Sequence, residues 1–498
     1  MQSYWEEERK NHKEYESLNN NLNVSVCVIG GGLTGLSTAY YLSNNTSVAV
    51  IERNKICGST SGKNTGKITS QHGIFYKYLI DSQGKEYAKK YLEANEKAIN
   101  NIERIVDKEK IDCDFERENA YVFTKKETEV DKLKDEQKAV DKINRGLCKF
   151  VKITELPMEI SGAIEFENQA KFHPLKYGYG LADCILKNNG RIFENSQVTD
   201  IKKENGKYAV YANKNKIVAD YVVITTRYPF MKVPGYYFLK MYQSTSYAII
   251  VDPKKELFSG MYINYEVPNI SFRTINDGNR KLLLAVGYDY KTGTENLKDG
   301  YSRLESTVRK MYPDADVLYK WSAEDCITLD KIPYIGEYST MMPNVYVATG
   351  FNKWGLTSSN VAANIISDEI LGINNEYIDV FRAKRVEPIK NREEIGNMLK
   401  EANKSIFLSK FKIPQVELDD IKMGEGKIIE VNKKKVGVYK ANNGQIFKVK
   451  PICTHLGCEL YFNNIDKVWE CPCHGSKFTY DGKSIEVPSN KNLQNRMF

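Results

Sequence analysis

Three glycines at the junction of a strand and a helix restrict this chain more than any other feature. Residues 24–29, VSVCVI, are an apolar run rich in β-branched residues, which suits a buried parallel strand. GGGLTG follows, then LSTAYYLS with helical spacing, then the strand SVAVIE. That order describes a β-α-β unit. Gly30, Gly32 and Gly35 spell G-x-G-x-x-G at its first turn. Gly30 permits the tight turn, Gly32 lets the backbone approach a pyrophosphate, and Gly35 lets helix and strand pack closely. Thr34 sits among them, where the helix start offers free N–H groups and a positive dipole end to phosphates. Glu52 closes the next strand, 22 residues after Gly30, where an acidic side chain accepts ribose hydroxyls. Because strand, glycines, helix, strand and acid occur in order, a dinucleotide site is expected rather than a structural turn. NAD and FAD share this fingerprint, so it does not choose between them.

A second motif lies near the other end of the chain. It reads Cys453-Thr454-His455-Leu456-Gly457-Cys458, then Cys471-Pro472-Cys473-His474-Gly475-Ser476. Fifteen residues separate C-x-H from C-x-x-H. Cys453 and Cys471 can hold one iron and His455 and His474 the other, with sulfides bridging them in a 2Fe–2S cluster. The alternative is a Cys2His2 zinc site. Zinc modules usually pair like ligands, whereas each half of this motif pairs unlike ones. Residues 413–498 resemble the Rieske family. That resemblance implies a disulfide between Cys458 and Cys473 tying the two loops, against the alternative of two reduced thiols. It also implies a hydrogen bond from Ser476 to a cluster sulfur. Phe478 stands where the family often has a tyrosine, so a second such bond is missing. The family's third loop is represented only by Val487-Pro488-Ser489-Asn490.

A further resemblance covers most of residues 22–375. Glu52-Arg53, then Ser61-Gly62-Lys63-Asn64-Thr65-Gly66-Lys67-Ile68, is similar to the second flavin-contacting segment of the D-amino-acid oxidase and glycine oxidase superfamily. So are Asp330–Gly336, Val345–Gly350 and Phe351–Thr357. The resemblance implies FAD as the dinucleotide. It places Arg53, Ser61, Gly66 and Lys67 on the cofactor, and Gly350, Trp354, Gly355, Leu356 and Thr357 beside the isoalloxazine ring. Val198 would face the adenine.

The expected architecture is an α/β FAD-binding Rossmann-like domain with an inserted antiparallel-sheet substrate domain, plus a C-terminal all-β Rieske domain. The FAD-binding domain is expected from 23–95, 150–225 and 325–375. The substrate or cap domain takes 96–149 and 226–324. Residues 376–412 form a helical connector, and 413–498 the Rieske domain. Residues 1–22 read as a polar lead-in. The net charge of +8 is spread over interleaved lysines and glutamates, with no basic run among aromatics, so nucleic acid is not expected as a partner. No apolar stretch is long enough to span a membrane, and the charged N-terminus does not read as a signal peptide. Cytoplasmic location is the expectation.

A flavin accepts a hydride and a 2Fe–2S cluster carries single electrons. The pair suggests a dehydrogenase that oxidises a small amine or amino-acid-like substrate and delivers electrons singly to an external acceptor. Lys67, Gln71 and His72 follow the flavin segment and are candidates to face the ring, with Lys67 and His72 as candidate catalytic groups. Tyr247, Tyr265 and Arg273 in the middle lobe are candidate pocket contacts. A Rieske oxygenase is excluded. It needs a mononuclear iron on two histidines and a carboxylate, and only His12, His72 and His173 remain, far apart. The competing reading is a redox-sensing or electron-carrying protein without a substrate of its own.

Overall fold

The computed structural model describes residues 2–231, 234–295, 297–385 and 416–494. Most of the expected connector, 386–412, lies outside the described residues.

Valine and isoleucine runs build the first sheet. Its strand order is Tyr334–Glu337, Val345–Thr349, Asn215–Ile224, Leu22–Ile29, Val48–Ile51, Arg191–Phe193. From Val345–Thr349 onward the pairs are parallel. Ile29 lies level with Ile224 and with Ile51, so three strands end together beside the Gly30 turn. The central strands are buried on both faces, as their near-continuous apolar sequence requires. Val26, Val28, Val48 and Val50 pack toward one core, while Cys27, Ile29, Ala49 and Ile51 pack toward the other. Helix Leu33–Ser43 packs against both Pro174–Lys187 and Gly355–Ile370 in the first core.

The second sheet has the order Asp316–Thr328, Met241–Asp252, Arg280–Lys291, Ile270–Asp277, Met261–Asn264, Glu116–Thr124, Gly162–Lys171, Lys67–Ile68. Its pairs are antiparallel except Met261–Asn264 with Glu116–Thr124. The sheets divide the chain differently from the expected boundaries. Lys67–Ile68, Gly162–Lys171 and the end of Asp316–Thr328 all belong to the second sheet. Alternation in sequence marks a strand and its buried face but not the sheet it joins.

The lead-in is not a loose tail. Trp5 is fully buried, and its indole N–H donates to the Asn64 carbonyl at 2.8 Å. It anchors the N-terminus beside the Ser61–Lys67 segment.

The C-terminal domain is all-β. Glu425–Val431, Lys434–Lys440 and Ile446–Val449 form one antiparallel sheet. Tyr461–Asn463, Val468–Glu470, Lys477–Thr479 and Ser484–Glu486 form another. Trp469, Phe478, Leu460 and Val449 fill its core. No helix among the described residues is long and apolar enough to cross a membrane.

Candidate functional site

The strand ends of the first sheet open onto a cavity of about 460 Å³. Gly30, Gly32, Thr34, Glu52, Arg53, Ser61, Lys67, Val198, Gly350, Trp354, Gly355 and Leu356 all line it. The turn is closed as tightly as backbone allows. A Cβ on Gly35 would lie 1.9 Å from the Gly30 carbonyl oxygen. Gly30 has φ +109°, and a Cβ there would meet the Thr225 carbonyl oxygen at 2.8 Å. Only glycine leaves the helix start accessible to a phosphate here. Glu52 accepts from the Gly31 and Asn54 backbone N–H groups, each at 2.8 Å, and burial pushes its carboxyl upward. Ser61 Oγ caps the helix at Leu33 N, 3.0 Å away.

Four expected site residues lie elsewhere. Gly35 and Gly66 sit under the cavity wall, Gly66 against Arg273 and the Phe172 carbonyl. Thr357 is buried and donates to the Thr69 carbonyl at 3.3 Å. His72 is the main correction. Its Nδ1 pairs with Tyr91 Oη at 2.8 Å and its Nε2 with Thr69 O at 2.9 Å. The ring stacks on Trp354 at 4.9 Å and does not line the cavity. Burial pushes its pKa down to about 3. It is a neutral packing residue that fixes Trp354, with no ring nitrogen left to move a proton.

The candidate pocket contacts also shift. Tyr247 points away from the cavity and packs on Tyr301, ring centroids 4.7 Å apart. Its neighbour Ser246 faces the cavity, as strand alternation demands. Tyr265 lies under the Lys132 ammonium. Arg273 donates to the Phe172 carbonyl at 3.3 Å and lies over the Trp5 ring. The roof of the cavity instead comes from the second sheet: Ala120, Ile263, Ser271, Val286, Asp289 and Asp325. Lys67 donates to the Tyr262 carbonyl at 2.8 Å and to Ser271 Oγ. Among the described residues it has no carboxylate partner, and burial followed by the nearby Arg273 charge holds its pKa well below the usual lysine value.

Arg227, at the end of the strand Asn215–Ile224, was missed. It lines the cavity and pairs with Glu486 at 2.8 Å. Its position just past a parallel strand's carboxyl end was the available signal.

At the second site, Cys453 and Cys471 face one another. The interaction between the two thiols holds Cys453 down and pushes Cys471 up. His455 and His474 lie edge to face, centroids 5.0 Å apart. The His474 Nε2 side meets the Phe238 carbonyl at 3.2 Å, while its buried Nδ1 has no hydrogen-bond partner among the described residues. With Nε2 as the donor, the Nδ1 lone pair is free for a metal. Two thiols and an orphaned imidazole nitrogen fit a cluster with mixed ligation. Cys458 and Cys473 form a disulfide and are thereby removed from the ligand set, although Cys471 lies within 4.8 Å of their sulfurs. Ser476 reaches Cys453, and its Oγ accepts from Ser489 N at 3.0 Å. The third loop is thus tied to the second, and Thr454 binds Ser489 from the first.

The two sites share a wall. Glu486, Val487 and Asn490 of the third loop line the dinucleotide cavity. Gln243 of the second sheet donates to the carbonyls of His474 at 2.6 Å and Val487 at 2.7 Å. Lys477 is 3% exposed and pairs with Glu324 at 2.8 Å and Glu470 at 3.0 Å, so one buried cation joins the domains. Glu470 also accepts from Gly293 N and Tyr290 Oη, each at 2.9 Å.

A dinucleotide fold carrying a second, cavity-roofing sheet, with a Cys2His2 cluster domain docked on it, defines a flavoprotein joined to an iron–sulfur protein. Comparison with known proteins makes this specific. Residues 25–369 match the FAD dependent oxidoreductase family, and residues 412–496 match the Rieske [2Fe-2S] domain. The chain belongs to the FAD dependent oxidoreductase family and carries a C-terminal Rieske domain; it binds FAD and a 2Fe–2S cluster. YhfW of Bacillus subtilis (strain 168), named as a Rieske 2Fe-2S iron-sulfur protein, is 35% identical over 484 residues, covering 96% of this chain and 94% of that one. Gamma-glutamylputrescine oxidoreductase of Escherichia coli (strain K12) is 24% identical, covering 76% of this chain and 91% of that one. Glycine oxidase from Geobacillus kaustophilus shares the fold, with TM-score 0.62 and 17% identity over 74% of this chain and 100% of that one.

Proposed function

We propose that this chain dehydrogenates a small amine at the flavin and passes the electrons through the cluster to a separate one-electron acceptor. When bound, FAD takes a hydride from a carbon beside nitrogen and the cluster carries electrons one at a time. The observation that carries the reading is the shared wall. Gln243 holds the backbone at a cluster ligand, and Val487, in the same hydrogen-bonded cluster loop, lines the flavin cavity. The buried Lys477 pair and the Arg227–Glu486 pair hold that arrangement, which supports transfer within one molecule.

Residues of the nucleotide end have separable tasks. The Gly30–Gly35 turn and the helix start would hold the pyrophosphate, and Glu52 and Val198 would flank the ribose and adenine. Gly350, Trp354, Gly355 and Leu356 would support the ring from the start of helix Gly355–Ile370. Lys67 is placed to act as a base. As a neutral amine it donates two N–H bonds, to Tyr262 O and Ser271 Oγ, and keeps one lone pair. That lone pair can take the proton from a substrate ammonium, leaving the neutral amine that hydride loss requires. The relatives' names are consistent with this chemistry, since gamma-glutamylputrescine and glycine both carry C–H bonds beside nitrogen.

Anaerobic mixing with a panel of amines and amino acids should bleach the flavin with at least one of them. Lys67→Met should slow bleaching on the order of 10²-fold, the size of a lost acid–base group, with the flavin spectrum unchanged. A full panel without bleaching sinks the substrate reading.

A further inference from the structure

The roof of the cavity carries two carboxylates whose situations differ. Asp289 is paired with Lys353 at 2.8 Å. Asp325 has no hydrogen bond or ion pair to any described residue, yet it lines the cavity. The sheet register puts Asp325 opposite Ser244, and Ala323 opposite Ser246, on the face turned to the cavity. Lys353 and Arg227 favour its charged form from a distance, but burial outweighs them and pushes the carboxyl upward. An unpaired carboxylate in a cavity is unfavourable until a cation reaches it.

Lys67 marks a second station. Its anchor, Ser271, lies on the strand Ile270–Asp277. Three strand steps separate that strand from the one bearing Asp325. At the usual spacing this is roughly 14 Å across the sheet, and the register, which sets Ser271 level with Trp321, adds four residues or roughly 13 Å along it. Among the described residues of the second sheet that line the cavity, none is a free cation suited to a carboxylate beside the reacting carbon, and Arg227 on the wall is paired with Glu486. The expected guanidinium, Arg273, is turned away, and Lys353 is already neutralised by Asp289.

Resting on the amine reading above, we propose that the substrate is an extended diamine or polyamine without an α-carboxylate, and that Asp325 binds the ammonium group that does not react. One amine end is then served by Lys67 at the flavin. The other end supplies the charge that Asp325 lacks in the protein. Asp325 is a specificity residue and takes no part in bond breaking.

The test uses the holoprotein and named probes. Under anaerobic conditions spermine or 1,12-diaminododecane should bleach the wild-type flavin at concentrations at least ten-fold below propylamine. Asp325→Asn should raise the half-saturating concentration for the better of the two at least ten-fold and leave that for propylamine unchanged. Hexamethonium, a bis-quaternary cation that cannot be oxidised here, should perturb the oxidised flavin spectrum in wild type and not in Asp325→Asn. Flavin content and cluster signal should be equal in both proteins, which separates recognition from folding. Bleaching by sarcosine or L-proline but not by spermine or 1,12-diaminododecane overturns this inference and leaves the amine reading standing. So does an Asn variant equal to wild type in both assays. Bleaching by no amine or amino acid overturns both.

Discussion

The cluster site and the flavin cavity are built in opposite ways. The four candidate cluster ligands come from two loops within residues 453–474 of one small domain, and a disulfide clamps those loops. The cavity draws its wall from Ile29 to Asn490, with floor, roof and one side supplied by three different sheets. The first site is local, so a change in a ligand removes it and little else. The second is distributed, so it depends on how the domains are held together. Lys477 and Gln243 are the points where the local site becomes part of the distributed one.

The largest effect that would sharpen this contrast is loss of one site without the other. Cys471→Ser should abolish bound iron and the Rieske EPR signal while FAD stays bound, read by metal analysis and flavin absorbance. Loss of both cofactors together would break the distinction. The reverse experiment is Gly35→Val. Its Cβ would lie 1.9 Å from the Gly30 oxygen, so the turn must open and FAD should be absent from the purified protein. The cluster signal should survive, because the C-terminal domain has its own core.

Next in size is the joint. Lys477→Met leaves Glu324 and Glu470 buried without their shared cation, an effect of about 3–5 kcal/mol. Calorimetry should show the unfolding of the two domains separating into two transitions, where the wild type shows one. A single unshifted transition would mean the joint does not depend on this ion pair.

The contrast also explains what was legible in the sequence. Candidate cluster ligands close together in the chain leave a motif, and the structure sets Cys453 beside Cys471 and His455 beside His474. The Gly30–Gly35 turn is equally local. The roof is not. Asp289 and Asp325 reach the cavity through sheet register, and no local pattern tells an inward aspartate from an outward one. Tyr247 illustrates the same limit, being one residue from the cavity-facing Ser246 and on the opposite face of the sheet. Trp5 was hidden in a segment whose composition reads as polar, because a single aromatic carries the anchoring. His72 was picked from its neighbours in sequence, while its partners Tyr91 and Trp354 come from distant segments.

His72 yields the smallest predicted effect. Its folded-state pKa is depressed from 6.5 to about 3, so the unfolded chain binds a proton that the folded chain refuses. The stability contributed by keeping it neutral is present above pH 6.5 and is lost as pH falls toward 3. The slope is ~1.4 kcal/mol per pH unit inside that window. His72→Gln should flatten the acid limb of a denaturation profile of the flavin domain, with His173, pushed down to about 4, and the carboxyls of Glu103, Glu109, Glu305 and Glu324, each held below the usual range, still contributing. An unchanged limb would mean that His72 is solvated in the folded protein.

The two cofactor sites are held against one another within a single molecule. Laser-flash reduction of the bound flavin, followed by cluster absorbance and freeze-quench EPR, tests it without needing the natural substrate. Cluster reduction should follow flavin reduction at a rate independent of protein concentration, and Lys477→Met should slow it. A rate proportional to protein concentration, or a cluster that stays oxidised beside a reduced flavin, would contradict the account.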